Sequence, residues 1–231
     1  MSFAGKRYWL VGGSEGLGLA LAQALRAEGA DLVISARDAL RLSAVCDDLA
    51  ALAVPMDVAD AASVARAADS IGPVDGMVFL AATYWPMAAG EVDADRLAAM
   101  CDVNLTGCAR VVGAVLPGMV ARGHGHIVLT GSLAGFRGLP GAVGYAASKA
   151  GVMVLAESLY ADLRGTGIRV QLANPGFIRT RLTEKNDFSM PFLMEPEQAA
   201  AHMLRLMRSG RFKASFPAVF SWVFRLGQFT K

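Results

Sequence analysis

The sequence predicts an α/β protein, a doubly wound parallel sheet in three layers with helices on both faces. Three observations predict it. Short apolar runs rich in β-branched or aromatic residues alternate with longer, alanine-rich segments of helical spacing. A glycine-rich turn follows directly on the first of those runs. Hydrophobic residues make up 54% of the 231 residues and charged residues only 18%, so residues 1–231 can bury one continuous core and are read as one domain.

The strands are expected at Tyr8–Val11, Leu32–Ser35, Met77–Ala81, Ile127–Thr130 and Val170–Ala173. Between them, helical spacing marks Leu17–Glu28, Asp60–Ser70, Leu105–Ala121 and Val143–Arg164. Strands alternating with helices imply βαβ units with right-handed crossovers, hence parallel pairing. Pro117 and Gly118 fall inside the third of those helices and argue for a break there. Gly165-Thr-Gly167 is a stop signal for the fourth, and Pro196 suits the first position of a helix over Pro196–Ser209. A last strand is expected within Arg211–Phe216. Repeats, low-complexity tracts and linkers are not found.

Composition excludes several classes of function. A net charge of +2 with no basic run argues against nucleic acid as a partner. Cys46, Cys101 and Cys108 are odd in number and lack a CxxC pair, which speaks against a disulfide framework or a metal cluster and for a reducing, cytoplasmic setting. His124-Gly-His126 lacks further ligands nearby and reads as a loop-to-strand junction, so no metal is expected. The amino terminus runs at once into a strand and has no signal-peptide pattern. Uninterrupted apolar runs stay below the roughly 18 residues of a membrane span. The nearest approach, Phe212 to Phe229, is broken by Lys213, Pro217 and Arg225.

The turn after the first strand reads Val11-Gly12-Gly13-Ser14-Glu15-Gly16-Leu17-Gly18. Gly12 permits a sharp turn, Gly16 lets backbone approach a pyrophosphate, and Gly18 lets helix pack on strand. The helix start adds free N–H groups and a positive dipole end. Gly12, Ser14, Glu15, Gly16, Leu17 and Gly18 are therefore the candidate phosphate-binding residues. A glycine-rich turn without a ligand is the blander alternative.

A second constellation carries chemistry. Tyr145-Ala-Ala-Ser-Lys149 places a phenol and an ammonium on one helix face, a turn apart. The cation is expected to lower the phenol pKa from about 10, giving a group that donates a proton to a carbonyl or takes one from an alcohol. Ser132 follows a predicted strand and offers a hydroxyl to the reacting oxygen. Taken alone the spacing is weak, since a solvated lysine and a half-buried aromatic explain it equally well.

These motifs together resemble the short-chain dehydrogenase/reductase family over roughly Lys6 to Leu182. The glycine turn is similar to the family's Thr-Gly-x-x-x-Gly-x-Gly, and the resemblance implies a Rossmann-like fold. Asp57-Val58 resembles the Asp-Val that contacts adenine, and Asn104, in Asp102-Val-Asn-Leu, resembles the family's structural and catalytic asparagine. Ser132, Tyr145 and Lys149 match the catalytic serine and Tyr-x-x-x-Lys. Pro175-Gly176-Phe-Ile178-Arg-Thr180 is similar to the segment holding the nicotinamide, which implies contacts from Ile178 and Thr180. Two departures stand out. Val11 replaces the usual threonine, and Phe79-Leu80-Ala81-Ala82 replaces Asn-Asn-Ala-Gly, with Ala81 keeping room near the adenosine.

What the resemblance implies is an NAD(P)-dependent oxidoreductase. Tyr145 would act as acid or base, Lys149 would lower its pKa and bond the nicotinamide ribose, and Ser132 would hold the oxyanion. Asn104 would hold a water linking Lys149 to solvent. Ser35-Ala36-Arg37 has alanine at the usual acidic position and arginine next, which favours NADP(H) over NAD(H) through a guanidinium–phosphate contact. Glu15 opposes this unless it pairs with Arg37. A lid is expected over Arg181–Met194, apolar enough for a hydrophobic carbonyl or alcohol substrate or simply for covering the core. The aromatic tail over residues 211–231 is read as packing on its own subunit, forming a dimer contact or lying on a membrane surface, in that order. The resemblance further implies a homodimer or homotetramer through the helices near Leu105–Ala121 and Val143–Arg164. A nucleotide-binding sensor, or an epimerase or lyase on the same scaffold, are the rival readings. Carbonyl-dependent oxidation of NADPH separates the reductase from both.

Overall fold

The computed structural model describes residues 2–226, so the last part of the predicted tail lies outside the described residues, as do the side chains from residue 223 onward. Seven strands form one sheet: β1 (Arg7–Val11), β2 (Asp31–Ser35), β3 (Leu52–Ala53), β4 (Gly76–Phe79), β5 (Gly125–Thr130), β6 (Ile168–Pro175) and β7 (Lys213–Phe216). Their order is β3-β2-β1-β4-β5-β6-β7, with every pairing parallel. After β3 the chain returns to lay β4 on the other side of β1. That reversal opens a crevice beyond the carboxyl ends of β1 and β4, the position where such sheets bind ligands.

Strand residues alternate between two cores because successive side chains point to opposite faces. Trp9, Val11, Met77, Ile127 and Leu129 face α3 (Ala61–Ile71), α5 (Gly107–Arg122) and α6 (Val143–Asp162). Tyr8, Leu10, Ile34, Val78 and Val128 face α1 (Gly16–Ala27) and α7 (Pro196–Arg208), with Leu42 of α2 (Ala39–Leu49) at the edge. The predicted strands and helices are all present, with ends moved by a few residues. Strand β4 stops at Phe79 rather than Ala81, because Leu80 N and Ala81 N both turn to the Val11 carbonyl at 2.8 Å.

Several elements differ from the expectation. The sequence reading did not single out α2, β3 or α4 (Ala94–Cys101). Helix α5 does not break at Pro117. The carbonyl four residues back, which the proline leaves without a donor, belongs to Gly113 on the exposed face, where solvent can satisfy it. The turn Asp102–Thr106 between α4 and α5 is π-helical, so Ala94–Arg122 is one continuous helical stretch of 29 residues. Its length and apolarity would suit a membrane span. Here its inner side packs against α3 and α6 instead. The tail forms α8 (Ala218–Leu226), and buried Phe220 anchors its start on the same chain.

His126 lies buried in β5, its Nε2 2.9 Å from Gln171 Oε1 and its Nδ1 2.8 Å from the Tyr8 hydroxyl. The amide oxygen accepts only, so Nε2 carries the proton and Nδ1 accepts from Tyr8. The Gln171 amide nitrogen then donates to the carbonyls of Leu206 and Arg211, tying α7 and the entry to β7 onto the sheet. Burial, with Arg169 adding to it, pushes the His126 pKa down to about 3. The unfolded chain thus binds a proton below about 6.5 that the folded chain refuses until about pH 3. Stability from this group is complete above about pH 6.5 and should fall by up to about 1.4 kcal/mol per unit as the pH drops towards 3. Urea unfolding across that range measures the slope, which a His126→Gln variant should flatten.

Candidate active site

The phosphate turn is built by three close contacts. Gly12 has a φ of +91°, and a Cβ there would lie 2.5 Å from Ala81 N. A Cβ on Gly18 would lie 2.0 Å from the Gly12 carbonyl, so only glycine lets α1 start directly on the turn. At Gly16, with φ of +53°, a Cβ would meet Thr180 Cγ2 at 2.9 Å. The turn therefore faces the root of the lid across a narrow gap. No side chain caps α1, so its first N–H groups remain available beside Ser14, Gly16 and Leu17.

These residues open into a cleft of about 710 Å³. Gly12, Ser14, Glu15, Gly16, Leu17 and Gly18 line it, as do Arg37, Val58 and Ala81 and, from the later part of the chain, Ser132, Tyr145, Lys149, Ile178 and Thr180. Two of the predicted residues stand off the cleft. Asp57 spends a carboxylate oxygen on the Ala59 N–H at 2.9 Å, and Asn104 is fully buried behind the wall. An uncapped helix start, glycines pressed against backbone and a cleft with an arginine on its wall fit a dinucleotide well. When bound, such a cofactor supplies the hydride.

At the reacting end, Tyr145 and Lys149 rise from the first turns of α6. Ser132 follows β5 and accepts from Ala134 N at 3.1 Å, which opens the short turn Leu133–Gly135. Lys149 is 2% exposed. Its Nζ donates to the Thr130 carbonyl at 2.9 Å and sits 5.8 Å from the centre of the Tyr145 ring. Burial pushes the lysine down to about 8. The tyrosine moves opposite to the expectation. Burial pushes the phenol up to about 12, the hydrogen bond with Ser132 draws it partly back, and the nearby Tyr84 phenol raises it further. Desolvation outweighs the Ser132 hydrogen bond here, so the phenol stays protonated.

Asn104 acts as a brace. Its Oδ1 accepts from Thr83 N at 2.7 Å, and its Nδ2 donates to Thr83 O and to Ser148 Oγ, both at 3.0 Å. Ser148 Oγ in turn donates to the Tyr145 carbonyl at 2.9 Å. The side chain is thus committed to the loop after β4 and to α6, and it does not touch Lys149.

The charged groups also differ from the expected pairing. Glu15 does not pair with Arg37; its carboxylate takes Arg41 at 2.8 Å and Arg181 at 2.9 Å. Arg41 additionally pairs with Asp38, the cap of α2. Arg37 is exposed on the cleft and has no carboxylate partner among the described residues. Sequence reasoning missed Arg41, Tyr84, Arg181 and Lys185, all of which line the cleft. Arg41 had a signal, since it lies one helical turn beyond Arg37. The lid is anchored by Thr183, whose hydroxyl donates to Ile178 O at 2.7 Å. Of its apolar residues, Leu182 lines the cleft, whereas Phe188 meets Phe177 edge-on, Phe192 meets Phe220 at a tilt, and both stay about half exposed.

Comparison with known proteins agrees with this geometry. The family model for short chain dehydrogenases matches residues 6–189, and the chain belongs to that family. It is 40% identical over 217 residues to an uncharacterized oxidoreductase of Myxococcus xanthus, covering 90% of this chain and 86% of that one. It is 32% identical over 189 residues to the 3-oxoacyl-(acyl-carrier-protein) reductase FabG of Escherichia coli, covering 79% and 78%. A solved short chain dehydrogenase/reductase family protein superposes with a TM-score of 0.86 at 32% identity, covering 93% of this chain and 97% of that one. The protein is an NAD(P)-dependent oxidoreductase acting on carbonyl or alcohol groups. Asn104→Ala, which removes three buried hydrogen bonds, should cost about 2–4 kcal/mol in urea unfolding.

Proposed function

We propose that the chain is an NADP(H)-preferring carbonyl reductase in which Tyr145 is the general acid. The observation that carries this is the joint placement of the Tyr145 phenol, the Ser132 hydroxyl and the buried Lys149 ammonium in the same cleft as the glycine turn. A substrate oxygen lodged between Ser132 and Tyr145 receives a hydrogen bond from the serine and the proton from the phenol. Lys149 supplies positive charge beneath the phenol as phenolate develops, and a phenol raised to about 12 stays protonated and ready to donate at neutral pH. Leu182 and half-buried Tyr84 line this end, which favours a carbonyl with an apolar substituent. The 3-oxoacyl chemistry in one relative's name makes 3-oxoacyl thioesters a first class to test.

The NADP(H) preference rests on Arg37, exposed on the cleft, and on Arg41, which Glu15 and Asp38 hold beside it. Two guanidiniums there suit a 2′-phosphate, and the Glu15 charge that opposed this reading is neutralised by Arg41 and Arg181. A reducing, cytoplasmic setting fits three free cysteines. A homodimer or homotetramer fits the exposed Val120 on α5 and Val154 on α6.

The deciding experiment is a panel of aldehydes, ketones and 3-oxoacyl thioesters with NADPH and NADH in parallel. Tyr145→Phe should lower kcat by about 10²–10⁴-fold with cofactor affinity nearly intact, and comparable turnover in that variant would sink the assignment. Carbonyl reduction should decline as the pH rises through about 8, because Lys149 then loses the proton that makes it a cation. Arg37→Ala should lower the NADPH-over-NADH preference by about 10-fold or more, read as a ratio of kcat/KM values.

A further inference from the structure

The loop after β4 carries an aromatic pair, Tyr84-Trp85, of which Tyr84 lines the cleft. Its path is not free. Asn104 grips both backbone groups of Thr83, so the residue that follows leaves the brace in a fixed direction. The Tyr84 ring then meets the Tyr145 ring edge-on, with centroids 5.1 Å apart and planes at 67°. This is the T-shaped geometry in which the positive edge of one ring faces the negative face of the other.

The lid holds the same loop from the opposite side. Lys185, at the end of the short turn Thr183–Lys185, donates from Nζ to the Tyr84 carbonyl at 2.7 Å and lies 5.0 Å from the centre of the Trp85 ring. No carboxylate pairs with it among the described residues, whereas its lid neighbour Arg181 is held by Glu15. A carbonyl and an indole face are thus its anchors, joining the lid to the loop by a charge-assisted hydrogen bond and a cation–π contact. Behind the loop, Asn104 reaches Ser148, and Ser148 reaches the Tyr145 carbonyl. The contacts close a circuit from Tyr145 through Ser148, Asn104 and Thr83 to Tyr84, and back to the Tyr145 ring.

We propose that Tyr84 is a positioning residue for Tyr145, and that Lys185 transmits the seating of the lid to the reacting phenol through it. The ring of Tyr84 supports one side of the Tyr145 ring, and a lid that lifts takes its anchor on the Tyr84 backbone with it. The inference rests on Tyr145 being the proton donor.

The test measures kcat, KM and NADPH dissociation constants for reduction of an acetoacetyl thioester by the unaltered chain and five variants. Tyr84→Leu should lower kcat about 10-fold or more while the NADPH dissociation constant stays within about twofold, since misplacing a reacting group by a fraction of an ångström carries that penalty. Tyr84→Phe keeps the ring and should return kcat to within about threefold of the unaltered chain. Lys185→Met should lower kcat by about 3–10-fold, and the double variant Tyr84→Leu/Lys185→Met should be no slower than Tyr84→Leu alone, because the lysine acts through the tyrosine. If Tyr84→Leu turns over at the unaltered rate, or the two losses multiply, the positioning role is overturned. Tyr145→Phe, run in parallel, separates the two readings: an active Tyr145→Phe overturns the proton-donor assignment itself. Failure of the unaltered chain to reduce the thioester or any carbonyl of the panel overturns both.

Discussion

The carboxamide of Asn104 joins three parts of the chain: the loop after β4, the π turn between α4 and α5, and helix α6. Each of its bonds is made out of contact with water, where an unmade one would cost most. The position of the reacting phenol relative to the cleft wall follows from it. Helix α6 sets where Tyr145 begins, the Thr83 backbone sets where Tyr84 ends, and Asn104 fixes the distance between the two. The glycine contacts at Gly12 and Gly18 do the corresponding work at the phosphate end, with backbone in place of a side chain.

Between these two fixed ends the electrostatics follow from dryness. Lys149 is buried and Tyr145 half-buried, and the loss of water disfavours the charged form of each, lowering one pKa and raising the other. The floor therefore holds its proton on the phenol, while the lysine keeps its cation only narrowly. At the open rim the logic reverses. Glu15 gathers two arginines in solvent, where each pair contributes little to stability and both guanidiniums can change partner at small cost.

Much of this was legible in the sequence because it is written in local spacing. The alternation of apolar runs gave the strands their places along the chain, the glycines gave the turn its place, and the four-residue step of Tyr145 and Lys149 gave them a common face. What local spacing does not encode was missed. Helices α2 and α4 bury two residues and one residue respectively, too thin a stripe to show as a period. The pairing of Glu15 with Arg181 spans 166 residues, so only the fold brings it about. The sign of the Tyr145 shift depends on how completely the first turn of α6 is covered, which no motif states. Pro117 misled for a related reason: its cost depends on whether the freed carbonyl is dry, and Gly113 leaves it wet.

The π turn at Asp102–Thr106 sets the phase between the helices on either side of it. An α-helix advances about 100° per residue, so the extra residue held there re-phases everything after it. Helix α4 can thereby turn Met100 towards Gly144 on α6, while α5 turns Val111 and Val112 into the core that it shares with α3. Losing one residue from the turn would carry Val111 out of that core and take Asn104 off Thr83 in a single event. The segment is helical throughout and looks uniform, yet its length is as much a constraint as its residues.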